Sequence, residues 1–140
     1  MKSSSEVWNG ITSDTGLVEL RDYLESGGEM YFEDEFNKWS FLHIACHVFN
    51  VNVIELLLNE GFDINYYSSC GFPAVYVALA ADIDSDLQQS RQPGFESLRY
   101  LIGRGANMDL KRMDGMSLTE YCALECGEIF RSAFHTHRHQ

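Results

Sequence analysis

Apolar residues recur along this chain in short runs at helical spacing, and each run stops at glycine. Leu17, Leu20, Tyr23 and Leu24 precede Gly27 and Gly28; Val53, Ile54, Leu56, Leu57 and Leu58 precede Gly61; Leu98, Leu101 and Ile102 precede Gly105. Residues three and four apart share one face of a helix. A glycine just past the last of them accepts the left-handed conformation that ends a helix. The pattern predicts short helices throughout. No stretch alternates long enough to predict a strand, and Pro73 and Pro93 are the only prolines.

Short helices at regular intervals imply a repeat. Ser40-Phe41-Leu42-His43-Ile44-Ala45 aligns with Pro73-Ala74-Val75-Tyr76-Val77-Ala78, and Leu42 lies 33 residues before Val75. The helix endings align as well, Asn59–Asn65 with Gly103–Asp109, but at an offset of 44. The second unit therefore carries 11 extra residues, placed at about 83–94. Another start lies at Gly115–Cys122 and another ending at Leu17–Met30.

These motifs resemble the ankyrin repeat family, whose pattern is T-P-L-H-x-A, a turn, then a second helix closing on L-L-x-x-G-A-x-x-N. The central unit reads S-F-L-H-I-A and later L-L-L-N-E-G-F-D-I-N within residues 40–65. The resemblance implies an all-α solenoid of about four helix-turn-helix repeats, near 1–33, 34–66, 67–110 and 111–140, with the first and last as caps. Phe41 and Ala74 stand where the family has proline, Val75 stands at its leucine, Thr119 matches weakly, and Tyr76 and Glu120 replace its histidine. Ser40 is expected to cap a helix through its hydroxyl. His43 is expected to hydrogen-bond nearby backbone, Leu42 and Ala45 to face the neighbouring helix, and Leu56–Leu58 to fill the space between repeats. Polar ends would come from the acids of the first repeat and from His135, His137, Arg138 and His139.

The chain's 140 residues fit one domain, and 45% hydrophobic residues are enough for a core. A net charge of -11 and a pI near 4.7 argue against nucleic acid and anionic membrane as partners. The charge is uneven: residues 1–70 hold 3 basic and 12 acidic side chains, and residues 71–140 hold 7 and 9. Glu19 to Glu35 alone carries seven acids against Arg21. No apolar run reaches membrane-spanning length, and no signal peptide is visible behind Met1. The four cysteines form no C-x-x-C pair, which suits reduced thiols in the cytoplasm.

Candidate chemistry is thin. His43 and His47 share the spacing of a zinc-binding pair, but Ile44 occupies the place of the glutamate a metalloprotease needs, and the repeat motif accounts for His43. Asp82, Asp84 and Asp86 alternate like a calcium loop, yet Leu87 and Pro93 stand where glycine and glutamate are required. Cys122 takes a motif alanine position, so it and Cys126 read as small buried thiols, and the terminal histidines as a frayed end. No phosphate-binding loop or nucleophile motif is present. We therefore expect no catalytic, cofactor or metal residues.

Surface recognition remains. The family's variable contact position, just after the turn glycine, falls on Trp39, Phe72 and Met116, all large and apolar. Beside them sit Asp34, Glu35 and Phe36, then Tyr66 and Tyr67, then Met113 and Asp114. Aromatic anchors rimmed by acids suit a basic protein partner. The expectation is a monomeric, non-catalytic inhibitor, most plausibly a bacterial immunity protein that occludes the active site of a basic toxin such as a nuclease effector. A eukaryotic regulatory adaptor or kinase-inhibitor-like protein is the alternative. A metal protein or enzyme using His43 and His47 is a remote one. The polar insertion is either a second contact or a tolerated excursion.

Overall fold

The computed structural model describes residues 2–88, 95–118 and 120. Six helices follow in order: α1 (Ser4–Asn9), α2 (Leu17–Glu25), α3 (Phe41–Val48), α4 (Val51–Asn59), α5 (Ala74–Gln88) and α6 (Glu96–Gly103). Among the described residues the only β pairing is an isolated antiparallel bridge between Lys111 and Ser117. The helices form antiparallel pairs, α1 with α2, α3 with α4 and α5 with α6. The pairs stack through α2 on α4 in one layer and α3 on α5 in the other. This is the helix-turn-helix solenoid that the resemblance implies.

Local chemistry sets the ends of the helices. Ser3 and Ser40 each accept from a backbone N–H three residues on, and the side chains of Glu6 and His43 return the bond to the serine's own N–H. Asn50 caps α4 by accepting from Val53 N–H and donates its amide to the carbonyls of Thr12 and Thr15, tying the first pair to the second. Gly61, at φ 96°, closes α4 in the left-handed region, where a side chain would be strained. The next residue, Phe62, donates to Leu57 O. Gly28 to Tyr23 and Ala106 to Leu101 repeat the same closing bond.

One continuous core runs between the pairs. Leu42, Ala45, Ile54, Leu57, Leu79, Leu98 and Leu101 are all buried within it. Burying one such leucine contributes about 2 kcal/mol. Phe41, at the family's proline position, is fully buried, with its ring centroid 5.6 Å from Tyr23 and 5.7 Å from Phe32. That departure replaces a rigid turn residue with an aromatic filling the space between the first two pairs.

The insertion begins as helix. Helix α5 has 15 residues where α3 has 8, so the extra chain up to Gln88 continues the helix. Asp82 and Asp84 therefore lie on a helix and not in a cation-binding loop. Asp82 is buried, and its two carboxylate oxygens accept from Ser97 N–H at 3.1 Å and Leu98 N–H at 3.0 Å. Phe95, the residue at the N-terminus of α6, has a left-handed backbone and supplies no side-chain cap. Asp82 thus does for α6 what Asn50 does for α4. The rest of the insertion, Thr119, Cys122, Cys126 and the histidine-rich end lie outside the described residues.

Candidate functional site

Three turns project from one edge of the stack, and they share a backbone rule. A residue at positive φ, namely Lys38 at 61°, Gly71 at 99° and Gly115 at 89°, comes just before Trp39, Phe72 and Met116. Three residues earlier, at the tips, stand Phe36, Ser69 and Met113, all exposed. Phe36 is 92% accessible and Met113 73%. The third turn is pinned to the second by Met113 N–H donating to Gly71 O at 2.9 Å.

The acids at these turns are used differently from what the sequence suggests. Asp34, expected as a rim contact, is buried. Its carboxylate accepts from Trp39 N–H at 2.9 Å and from Asn37 N–H at 3.0 Å, with the Asn37 side-chain amide at 3.2 Å. It shapes the turn and is withdrawn from solvent. Glu33 accepts from the Tyr66 hydroxyl at 2.6 Å and from Ser69 N–H at 3.0 Å. Partial burial pushes its carboxyl up, but these bonds outweigh that and hold it below the ordinary range. Glu29 accepts from Tyr31 N–H, and Glu19, Asp22 and Glu25 lie exposed on α2, in the other helix layer. Of the seven acids from Glu19 to Glu35, Glu35 is the one left exposed beside the aromatic tip.

The remaining expected residues divide into braces and contacts. Tyr66 is half-buried against Tyr31 and Phe62, and burial followed by its bond to Glu33 pushes its hydroxyl up to about 12. Tyr67 donates its hydroxyl to Lys111 O. Both tyrosines hold neighbouring turns together. Met116 is half-buried, and its carbonyl accepts from Arg112 N–H and the Tyr76 hydroxyl. Trp39 is half-buried with its ring 5.3 Å from that of His47. Phe72 lies between His43 and Tyr76, with the Arg112 guanidinium 5.5 Å over its ring. Asp114 pairs with Arg112 at 3.2 Å.

His43 is fully buried and spends both ring nitrogens on the fold. Nδ1 accepts from Ser40, and Nε2 donates to Phe72 O at 2.9 Å. Burial lowers its proton affinity, while the Phe72 carbonyl and Glu33 pull the other way. Cys46 is buried and its thiol is pushed up by that burial. Among the described residues no group of three or more His, Cys, Asp or Glu side chains is placed to hold a metal ion.

Two clefts open beside the turns. One of about 410 Å³ lies between α1 and the first turn, with Ser5, Asn9, Glu35 and Phe36 in its wall. The other, of about 330 Å³, lies between Trp39 and Phe72, with Val77, Ala80, Ala81 and Asp84 of α5 beneath them. The α5 residues of this second cleft are absent from the sequence expectation. Their available signal is that Ala80 and Ala81 stand one 33-residue period after the larger His47 and Val48.

Stacked antiparallel helix pairs with projecting turns define a helical-repeat scaffold for binding other proteins. A family model described as Ankyrin repeat matches residues 37–69, the stretch that contains α3 and α4, so this part of the chain is an ankyrin repeat, and the stacked helix pairs on either side of it accord with that family's fold. Such repeats are protein–protein interaction modules, generally without catalysis. No curated protein matches the sequence. Among the described residues no helix is long and apolar enough to cross a membrane.

Proposed function

We propose that this protein is a non-catalytic, stoichiometric inhibitor that works by occlusion, an immunity protein laid over the cationic cleft of a basic toxin such as a nuclease effector. The observation that carries this reading is the row of Phe36, Trp39, Phe72 and Met113 along one turn edge, with Phe36 92% exposed. A phenylalanine so exposed adds nothing to the core, and large anchors of this kind concentrate binding energy at interfaces. The net charge of -11 supplies the long-range attraction, to which Glu35 at the tip and the ionised Glu33 in the turn contribute locally. Free Cys46 and Cys70 suit a reducing cytoplasm, and the protein works as a monomer paired with one partner.

The test is affinity capture from the source cell with the wild type and with Phe36→Ala and Trp39→Ala. The captured partner is then purified and titrated in an activity assay. A basic partner whose activity vanishes at one equivalent, and which both variants fail to hold, is the expected result. Its association should slow steeply with salt. A partner that keeps its activity under excess protein, or that both variants capture as well as the wild type, overturns the proposal.

A further inference from the structure

The cleft between Trp39 and Phe72 has a chemistry of its own. Val77, Ala80, Ala81 and Asp84 are spaced as one stripe of α5, so the Asp84 carboxylate lies one helical turn beyond Ala80 on the same face. The floor is apolar and short-chained, the Trp39 indole forms a wall, and His47, Phe72, Tyr76 and Arg112 complete the lining. Asp84 is exposed and has no hydrogen-bond or ion-pair partner among the described residues. The charge on the opposite wall, Arg112, is matched by Asp114 at 3.2 Å.

We propose that this cleft receives one arginine side chain of the partner. The proposal rests on the protein-binding reading above and narrows it to a single contact. Covering the cleft with an apolar group would strip water from Asp84 and give it nothing in return, which is costly. A side chain with an aliphatic stem and a cationic head satisfies both ends. The stem lies on Val77, Ala80 and Ala81, and the head pairs with Asp84. Arginine fits better than lysine, because its planar guanidinium stacks on the indole face while forking onto a carboxylate. A cleft of about 330 Å³ has room for one such side chain.

The probe is Nα-acetyl-L-arginine amide, titrated into ¹⁵N-labelled full-length protein near pH 8, with the citrulline and norleucine amides as neutral and apolar comparisons. The arginine probe should give saturable shifts at the Trp39 indole N–H and the Ala80, Ala81 and Asp84 amides. Binding should be about tenfold weaker with citrulline or in Asp84→Asn, the loss expected of one charge-assisted contact. Asp84→Asn should keep the wild-type spectrum elsewhere, since the side chain is exposed. Equal shifts with citrulline, tighter binding of norleucine, no effect of Asp84→Asn, or shifts confined to the acids of α2 would each overturn the proposal. The two readings fail separately. If Phe36→Ala and Trp39→Ala lose the captured partner while Asp84→Asn holds it and the arginine probe leaves the cleft unmoved, the binding edge stands and the arginine contact falls. If the arginine probe fills the cleft while both alanine variants still capture the partner, the cleft assignment stands and the occluding edge falls.

Discussion

Nε2 of His43 donates to the carbonyl oxygen of Phe72 at 2.9 Å, joining the inner helix of one repeat to the turn that opens the next. Ser40 N–H donates to Nδ1 at the other side of the ring, so the neutral imidazole is the form that fits. The bond explains why Phe72 sits where it does: the turn carrying it is anchored from below.

Stability should fall on mild acidification because of this ring. Burial lowers the His43 proton affinity from the ordinary value of 6.5, more than the Phe72 carbonyl and Glu33 raise it. The unfolded chain takes up a proton as pH drops through that value, and the folded chain does so only further down. The contribution of His43 is therefore complete above about pH 6.5 and is lost as pH falls through the lower folded value. Urea midpoints measured at several pH values between about 7.5 and 5 should decrease with acid. His43→Gln should start lower and show a flatter dependence. An equally steep dependence in the variant would assign the effect to other groups.

Lys38→Gly should stabilise the protein. Lys38 holds φ 61°, where the sister turns have Gly71 and Gly115. Relieving left-handed strain is worth about 1–2 kcal/mol, and the extra freedom of glycine in the unfolded chain returns part of it. A net gain of about 0.5–1 kcal/mol is expected, read as a higher denaturation midpoint. A lower midpoint would mean that the lysine side chain contributes more than its backbone costs.

Asp82→Ala should be among the more damaging single changes. It removes both acceptors at the start of α6 and leaves Ser97 N–H and Leu98 N–H without them. A loss of about 2 kcal/mol is expected. Asp82→Asn, which keeps one acceptor oxygen, should fall between. Hydrogen exchange at the first amides of α6 reports the same event locally, and unchanged protection there would contradict the cap.

Phe36→Ala should separate recognition from folding. The ring is exposed, so thermal stability should stay within about 0.5 kcal/mol of wild type. Binding to a protein partner should weaken by about 2 kcal/mol or more. Calorimetric binding and a melting curve on the same sample check both halves.

The repeat architecture was legible because its signals are local. A serine three residues before His43, leucines at helical spacing before Gly61, and the 33-residue step from Leu42 to Val75 each reflect contacts within a turn or two of helix. The geometry of the candidate site was legible only in part. Trp39, Phe72 and Phe36 could be placed from the turn register, and the structure puts them along one edge. The burial of Asp34 is not legible, because a short acidic run looks the same whether its carboxylates face water or fold back onto their own backbone. Asp82 and Asp84 were hidden for the opposite reason. The Asp82 cap and the proposed Asp84 contact depend on α5 continuing into the insertion, and on α6 and Trp39 arriving beside it from distant parts of the chain. No spacing rule within one repeat encodes that.

The first turn takes its shape from the Asp34 carboxylate and the Lys38 backbone, and residue 36 contributes nothing to it. The tip is thus a mounting whose geometry is independent of what is mounted. Changing Phe36 to another side chain alters the exposed tip without asking the fold to adjust. A lineage of such proteins can then vary this tip one substitution at a time, with little of the stability loss that usually accompanies a change in a buried residue.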